Sequence, residues 1–149
     1  MAHPKTIAAR KKSATEAAEI GISDAYLSQM VERFYVKVQS DAMLGPIFAE
    51  RIKDWPHHLL HMKRFWRSIM LKTGEFSGNP MMKHVAISRI DDTEFGHWLQ
   101  LFAETLNELG GPQEARDRIY QRAQMIAESL LLGIHIHRDG LTTPAKLKG

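Results

Sequence analysis

Apolar residues in this chain recur at intervals of three and four, and nowhere do they form a period-two run bounded by turns. An α-helix turns once per about 3.6 residues, so that spacing collects apolar side chains on one stripe and commits the chain to an all-α domain. The first stripe is Tyr26, Leu27, Met30, Val31, Phe34, Tyr35 and Val38, on a helix expected over residues 22–38 with Ser23 or Asp24 as its cap. Leu44-Gly45-Pro46-Ile47-Phe48 reads as a turn that tucks two apolar side chains inward. Asp54 can cap a helix running to residue 71, because Pro56 fits only in a first turn, where a missing N–H costs nothing. On that helix His58 shares a face with Met62, Phe65 and Ile69, whereas His57, His61, Arg64 and Ser68 share a polar face.

Residues 72–79 contain Gly74 and Gly78 and read as a loop, after which Asn79-Pro80 caps a short helix carrying His84. Asp91 with Glu94 resembles a capping box ahead of the stripe Phe95, Trp98, Leu99, Phe102, Leu106 and Leu109. Gly110-Gly111-Pro112 stops that helix, and a last one is expected over 113–136 with Ile119, Ala123, Ile126 and Leu130 inward.

A chain of 149 residues with 44% hydrophobic content fits one domain with one core. The expected division is a basic extension over 1–20, the helical domain over 21–137 and a tail over 138–149. The net charge of +3 comes largely from the two ends, where Lys5, Arg10, Lys11, Lys12, Lys146 and Lys148 lie. Mixed charges elsewhere describe solvated helix faces, so a nucleic-acid partner is not expected. The absence of cysteine excludes disulfide staples, thiolate ligands and cysteine nucleophiles. The run Leu130-Leu131-Leu132-Gly133-Ile134 is far below the ~20 residues of a membrane span, and the start carries no apolar secretory stretch. No membrane partner and a cytoplasmic location are the expectations.

His58 and His84 stand on different expected helices, and two imidazoles facing each other across an apolar gap could hold a flat metal macrocycle. Each residue has an ordinary alternative: an inward histidine as a core or capping group, Tyr35 and Trp98 as packed aromatics, and Met62, Met81, Met82 and Met125 as gap fillers. Glu94-x-x-His97 has the spacing used in di-iron bundles, but no second copy accompanies it, and His97 is expected to be exposed with Thr93, Gln100 and Glu104. His57 and His61 could take a divalent ion adventitiously, yet lack the glutamate of a His-Glu-x-x-His hydrolase site. There is neither a glycine-rich phosphate loop nor a Gly-x-Ser-x-Gly elbow.

The order and spacing of several short pieces decide among these readings. They are Phe34-Tyr35, Leu44-Gly45-Pro46-Ile47-Phe48, Trp55-x-x-His58, Phe65-Trp66, Gly78-Asn79-Pro80, His84, Trp98-Leu99-x-Leu101-Phe102 and Arg122-Ala123-Gln124-Met125-Ile126. Together they span nearly all of residues 22–134, and in them the chain resembles the truncated haemoglobins, specifically their third group. The resemblance implies two antiparallel helix pairs sandwiching haem b, a two-on-two globin with a shortened proximal helix. His84 then corresponds to the proximal ligand of the haem iron, and Tyr35 and Trp98 to distal hydrogen-bonding residues. His58 corresponds to the residue above the iron, where it gates entry or donates a hydrogen bond. Phe48, Phe65, Trp66, Phe95, Met125 and Ile126 become apolar walls. Met62 stands where a branched aliphatic residue is more usual, and Lys83 and Arg122 could face the haem propionates.

A distal pocket rich in hydrogen-bond donors should release its ligand slowly, which suits oxygen delivery poorly. The implied function is therefore binding of oxygen and other diatomic ligands in oxygen/nitric oxide or peroxide redox chemistry, served by a reductase. The alternative is a haem-based gas sensor or oxygen store without turnover.

Overall fold

Side-chain caps locate most of the helices in this protein. Its structure, a computed structural model, describes residues 16–17, 19–72 and 91–139, the side chains of 135–139 excepted. Helix α1 (Asp24–Ser40) begins where the Ser23 hydroxyl accepts the Tyr26 amide at 3.1 Å. Helix α2 is Leu44–Arg51, and α3 (Trp55–Leu71) starts where Asp54 accepts the His57 amide at 3.1 Å, with Pro56 in the first turn. Helix α4 (Asp92–Leu109) opens on the expected capping box, in which the Glu94 carboxylate accepts the Asp91 amide at 2.7 Å. Helix α5 covers Gln113–Asp139, three residues beyond the sequence expectation. Each such cap contributes about 1 kcal/mol by satisfying an amide that has no partner within the helix.

The segment read as a turn is α2, a helix of 8 residues. Leu44, Ile47 and Phe48 lie one turn apart and all three are buried, which makes the segment amphipathic rather than irregular. Its start is set by Asp41, whose Oδ2 accepts the amides of Met43 at 3.0 Å and Leu44 at 2.9 Å. Gly45 permits the tight corner with α1, because a Cβ there would stand 2.8 Å from the Gln39 carbonyl oxygen.

Helix α1 packs against α2, α3 and α4, and α4 packs against α5. The link between α4 and α5 is short enough to force an antiparallel pair, and both Gly110 (φ 72°) and Gly111 (φ 91°) take the left-handed backbone it requires. The Tyr26 hydroxyl donates to the Gly110 carbonyl at 2.9 Å, tying the start of α1 to this corner. The core runs through Leu27, Met30, Val31 and Val38 of α1, Phe102 and Leu106 of α4, and Ile119 and Ala123 of α5. Burial of each large apolar side chain stabilises the fold by about 1.5–3 kcal/mol. Ala17 also joins this core, so buried structure begins inside the stretch assigned to the basic extension. No helix of the described residues is long and apolar enough to cross a membrane.

His97 departs from the expectation of exposure. Its Nε2 lies 2.6 Å from Asp41 Oδ1, and the side chains are only 26% and 15% exposed. One carboxylate thus caps α2 and pairs with α4. Burial alone would raise the Asp41 pKa, but the hydrogen bond from His97, the amides of Leu44 and Met43 and the His97 charge bring it below the ordinary 3.8. A lowered folded-state pKa stabilises the fold fully above that ordinary value, and the contribution is lost as pH falls through the lower folded value. Asp41→Ala is expected to cost about 1–2 kcal/mol in urea unfolding at neutral pH. Repeating the titration in acid, below the carboxylate range, should find the deficit shrinking; a constant deficit would count against the assignment to the carboxylate.

Candidate functional site: an aromatic chamber around Tyr35

Tyr35 sits where three helices meet. It projects from α1 and is 6% exposed, and its ring contacts Phe48 of α2 (6.3 Å between centroids) and Trp55 and His58 of α3 (6.0 and 5.0 Å). The His58 imidazole stands edge-on to it at 88° and edge-on to Trp55 at 90°. The N-terminal turn of α3 therefore delivers His58 into the chamber, and the Asp54 cap with Pro56 determines where that turn begins. Burial pushes the Tyr35 phenol well above its ordinary range, and no hydrogen bond enters to offset the shift. The hydroxyl consequently stays protonated, a neutral donor, throughout the neutral pH range.

Trp98 reaches the same region from α4. It is half-buried, packed edge-on against Phe34 at 5.3 Å and stacked on Phe102 at 5.7 Å with 17° between planes. Phe102 in turn stacks on Trp66 of α3 at 5.3 Å and 22°. Trp98 also touches the second core cluster of Ile47, Phe95, Leu130 and Ile134, as does Ile126. The indole is thereby held between both halves of the fold, and Phe34, which contacts Tyr35 at 5.0 Å, joins it to the phenol.

The structure brings together Tyr35, His58 and Phe48, with Trp98 one ring away across Phe34; Met62, Phe65, Trp66 and Ile126 pack in the same core and Phe95 against Trp98. Trp66, grouped in the sequence with the walls, is the one fully buried side chain of α3. His61 is less polar in setting than its helical face implied, since its Nε2 is buried like that of His58. Arg122 and Met125 stand elsewhere. They line a cavity of about 330 Å³ whose described lining includes neither Tyr35, His58 nor Trp98, and Met125 is 55% exposed. His84 and Lys83, with the short helix expected to carry them, lie outside the described residues. Among the described residues no three His, Asp or Glu side chains cluster as a metal cage.

Two members of the chamber went unassigned in the sequence reading, Phe34 and Trp55. Trp55 carried a usable signal, because a residue three before His58 shares its helix face. Phe34 carried none beyond its place on a core stripe; only the packing of α1 on α4 makes it the bridge between phenol and indole.

Comparison with known proteins identifies the family and the fold. Residues 18–131 match the family model described as bacterial-like globin. The group 3 truncated hemoglobin of Campylobacter jejuni is 36% identical over 110 residues, 71% of this chain and 86% of that protein. The crystal structure of the group III truncated hemoglobin from the same organism superposes with a TM-score of 0.71 at 34% identity, covering 76% of this chain and 91% of the other. The hemoglobin of Chloroflexus aurantiacus (TM-score 0.64, 24% identity, 76% and 94% covered) and the group II truncated hemoglobin of Bacillus anthracis (0.65, 20%, 76% and 88%) share the fold. A chain matched over most of its length by these sequences and folds belongs to the bacterial-like globins; it is a truncated haemoglobin of the third group, a fold that binds haem and small gas ligands.

Proposed function

We propose that this globin carries haem b with His84 as the protein ligand of the iron, and that Tyr35, Trp98 and His58 form the opposite side, where small ligands bind and react. The observation that carries this reading is the Tyr35 hydroxyl, a buried and neutral donor that no hydrogen bond among the described residues engages. The ring is buried among apolar and aromatic side chains, and that burial keeps the hydroxyl a neutral donor, as a group that binds a ligand in a dry chamber must be.

Bound haem would supply a redox-active iron able to take a diatomic molecule or a peroxide. The chain does the rest. Tyr35 donates its O–H to the partly negative end of the ligand, and Trp98, clamped by Phe34 and Phe102, offers its indole N–H as a second donor. Phe48, Met62, Phe65, Trp66, Phe95 and Ile126 exclude water, which strengthens both hydrogen bonds. His58, edge-on to Tyr35, controls entry and can donate in its turn. Lys83 would pair with the haem carboxylates, and Arg122 and Met125, which line the second cavity, stand apart from Tyr35 and His58.

Two donors over one ligand favour retention, which suits oxygen/nitric oxide or peroxide chemistry better than delivery of oxygen. Such chemistry needs electrons from a reductase partner. One equivalent of nitrate on mixing the oxygenated protein with nitric oxide is expected of any globin. The stricter test is nitrate production that continues past one equivalent when a flavin reductase is added. If nitrate stops at one equivalent with every reductant tried, the gas sensor or oxygen store becomes the better reading.

A further inference from the structure

The cavity that takes up Arg122 and Met125 has a composition of its own. Its floor is apolar, formed by Ile22, Ile69 and Met70, and Ile22 is 1% exposed and part of the core. Its rim carries three cations, Lys72, Arg118 and Arg122, against one carboxylate, Glu16. Arg118 pairs with Glu114 at 3.3 Å, but Lys72 and Arg122 enter none of the ion pairs among the described residues. Lys72 also holds a left-handed backbone (φ 58°), the only non-glycine among the described residues to do so. For a residue with a Cβ that conformation costs about 1–2 kcal/mol, where glycine would adopt it freely. That backbone ends α3 as its C-cap and turns Lys72 to the cavity, where uncommitted cations and an apolar floor coincide.

We propose that this cavity binds a small amphiphilic carboxylate, its alkyl chain laid on Ile22, Ile69 and Met70 and its carboxylate held by Lys72 and Arg122. The flexible, exposed Met125 closes over the chain. The site is separate from the chamber around Tyr35, and its ligand is a free acyl carboxylate rather than a haem propionate.

Titration of the full-length, haem-loaded protein with octanoate, followed by calorimetry and by the Soret band, tests this. Saturable binding of one octanoate with an unchanged Soret band is expected, with octylammonium failing to bind. Arg122→Glu should bind octanoate about tenfold more weakly or worse, as loss of a charge-assisted contact requires. Arg64→Glu, at an exposed position on α3, should bind normally. Lys72→Gly separates binding from folding, since relief of the left-handed strain should leave stability equal or higher while octanoate binding weakens. The proposal is overturned if octanoate fails to bind, displaces haem, or binds Arg122→Glu and Lys72→Gly as tightly as the parent. Binding of anionic phospholipid vesicles in the absence of octanoate binding would likewise overturn it, and would assign the cations to a membrane surface.

Discussion

Tyr35→Phe is expected to speed oxygen release from the haem-loaded protein by about 10–100-fold, because one hydrogen bond to a partly charged acceptor in a dry pocket contributes about 1.5–3 kcal/mol. Stopped-flow displacement of oxygen by carbon monoxide measures this directly. The substitution removes only the hydroxyl, and the ring keeps its contacts with Phe34, Phe48, Trp55 and His58. Two further results follow from the burial of the phenol. Because burial holds the phenol neutral far above the physiological range, the release rate of the parent should show no step assignable to Tyr35 across neutral pH. And because no hydrogen bond among the described residues engages the hydroxyl, the haem-free Tyr35→Phe protein should melt no lower than the parent, while loaded protein loses ligand retention. A release rate unchanged in Tyr35→Phe but raised in Trp98→Phe would transfer the principal donor role to the indole.

His84→Ala is expected to abolish stable haem binding, seen as loss of the Soret band in protein purified with haem supplied, and His58→Ala is expected to retain it. The two imidazoles are chemically equivalent, so the asymmetry must come from placement. His58 stands in the first turn of α3 with its ring fitted edge-on between Tyr35 and Trp55, a setting that suits a pocket residue on the ligand side. The resemblance assigns the permanent ligand to His84, and without a nitrogen donor the iron has no protein bond on that side. Added imidazole should restore the band in His84→Ala by occupying the vacated position. Loss of the band in His58→Ala with retention in His84→Ala would exchange the two roles.

Four of the five helices α1–α5 among the described residues were legible in the sequence, since each combines an apolar stripe with a capping side chain at its start or a helix breaker beside it. The exception, α2, shows what such reading misses. Leu44-Gly45-Pro46-Ile47-Phe48 contains two turn-forming residues in five, and a segment of 8 residues is too short for its periodicity to outweigh them. Its helix depends on a carboxylate three residues upstream and on burial of Leu44, Ile47 and Phe48 against other elements. His97 was misplaced for a related reason: its neighbours on α4 are polar, but Asp41 arrives from the corner between α1 and α2 to cover it. The resemblance offered Met125 as a wall and Arg122 as a propionate partner, and the packing of α5 sets both beside Ile22, Ile69 and Met70 at a cavity that periodicity within one helix does not reveal.

From the sequence alone followed the all-α class, the helix starts at Ser23 or Asp24, Asp54 and Asp91, the break at Gly110-Gly111-Pro112 and the family resemblance. All of these depend on interactions within a few residues of one another, or on an ordered set of residue types along the chain. Tertiary structure decided what meets what: Phe34 between Tyr35 and Trp98, Phe102 between Trp98 and Trp66, and a cation-rimmed cavity apart from the aromatic chamber. Periodicity states which way a side chain faces from its own helix axis, whereas the dry, donor-bearing environment of Tyr35 is a property of three helices packed together.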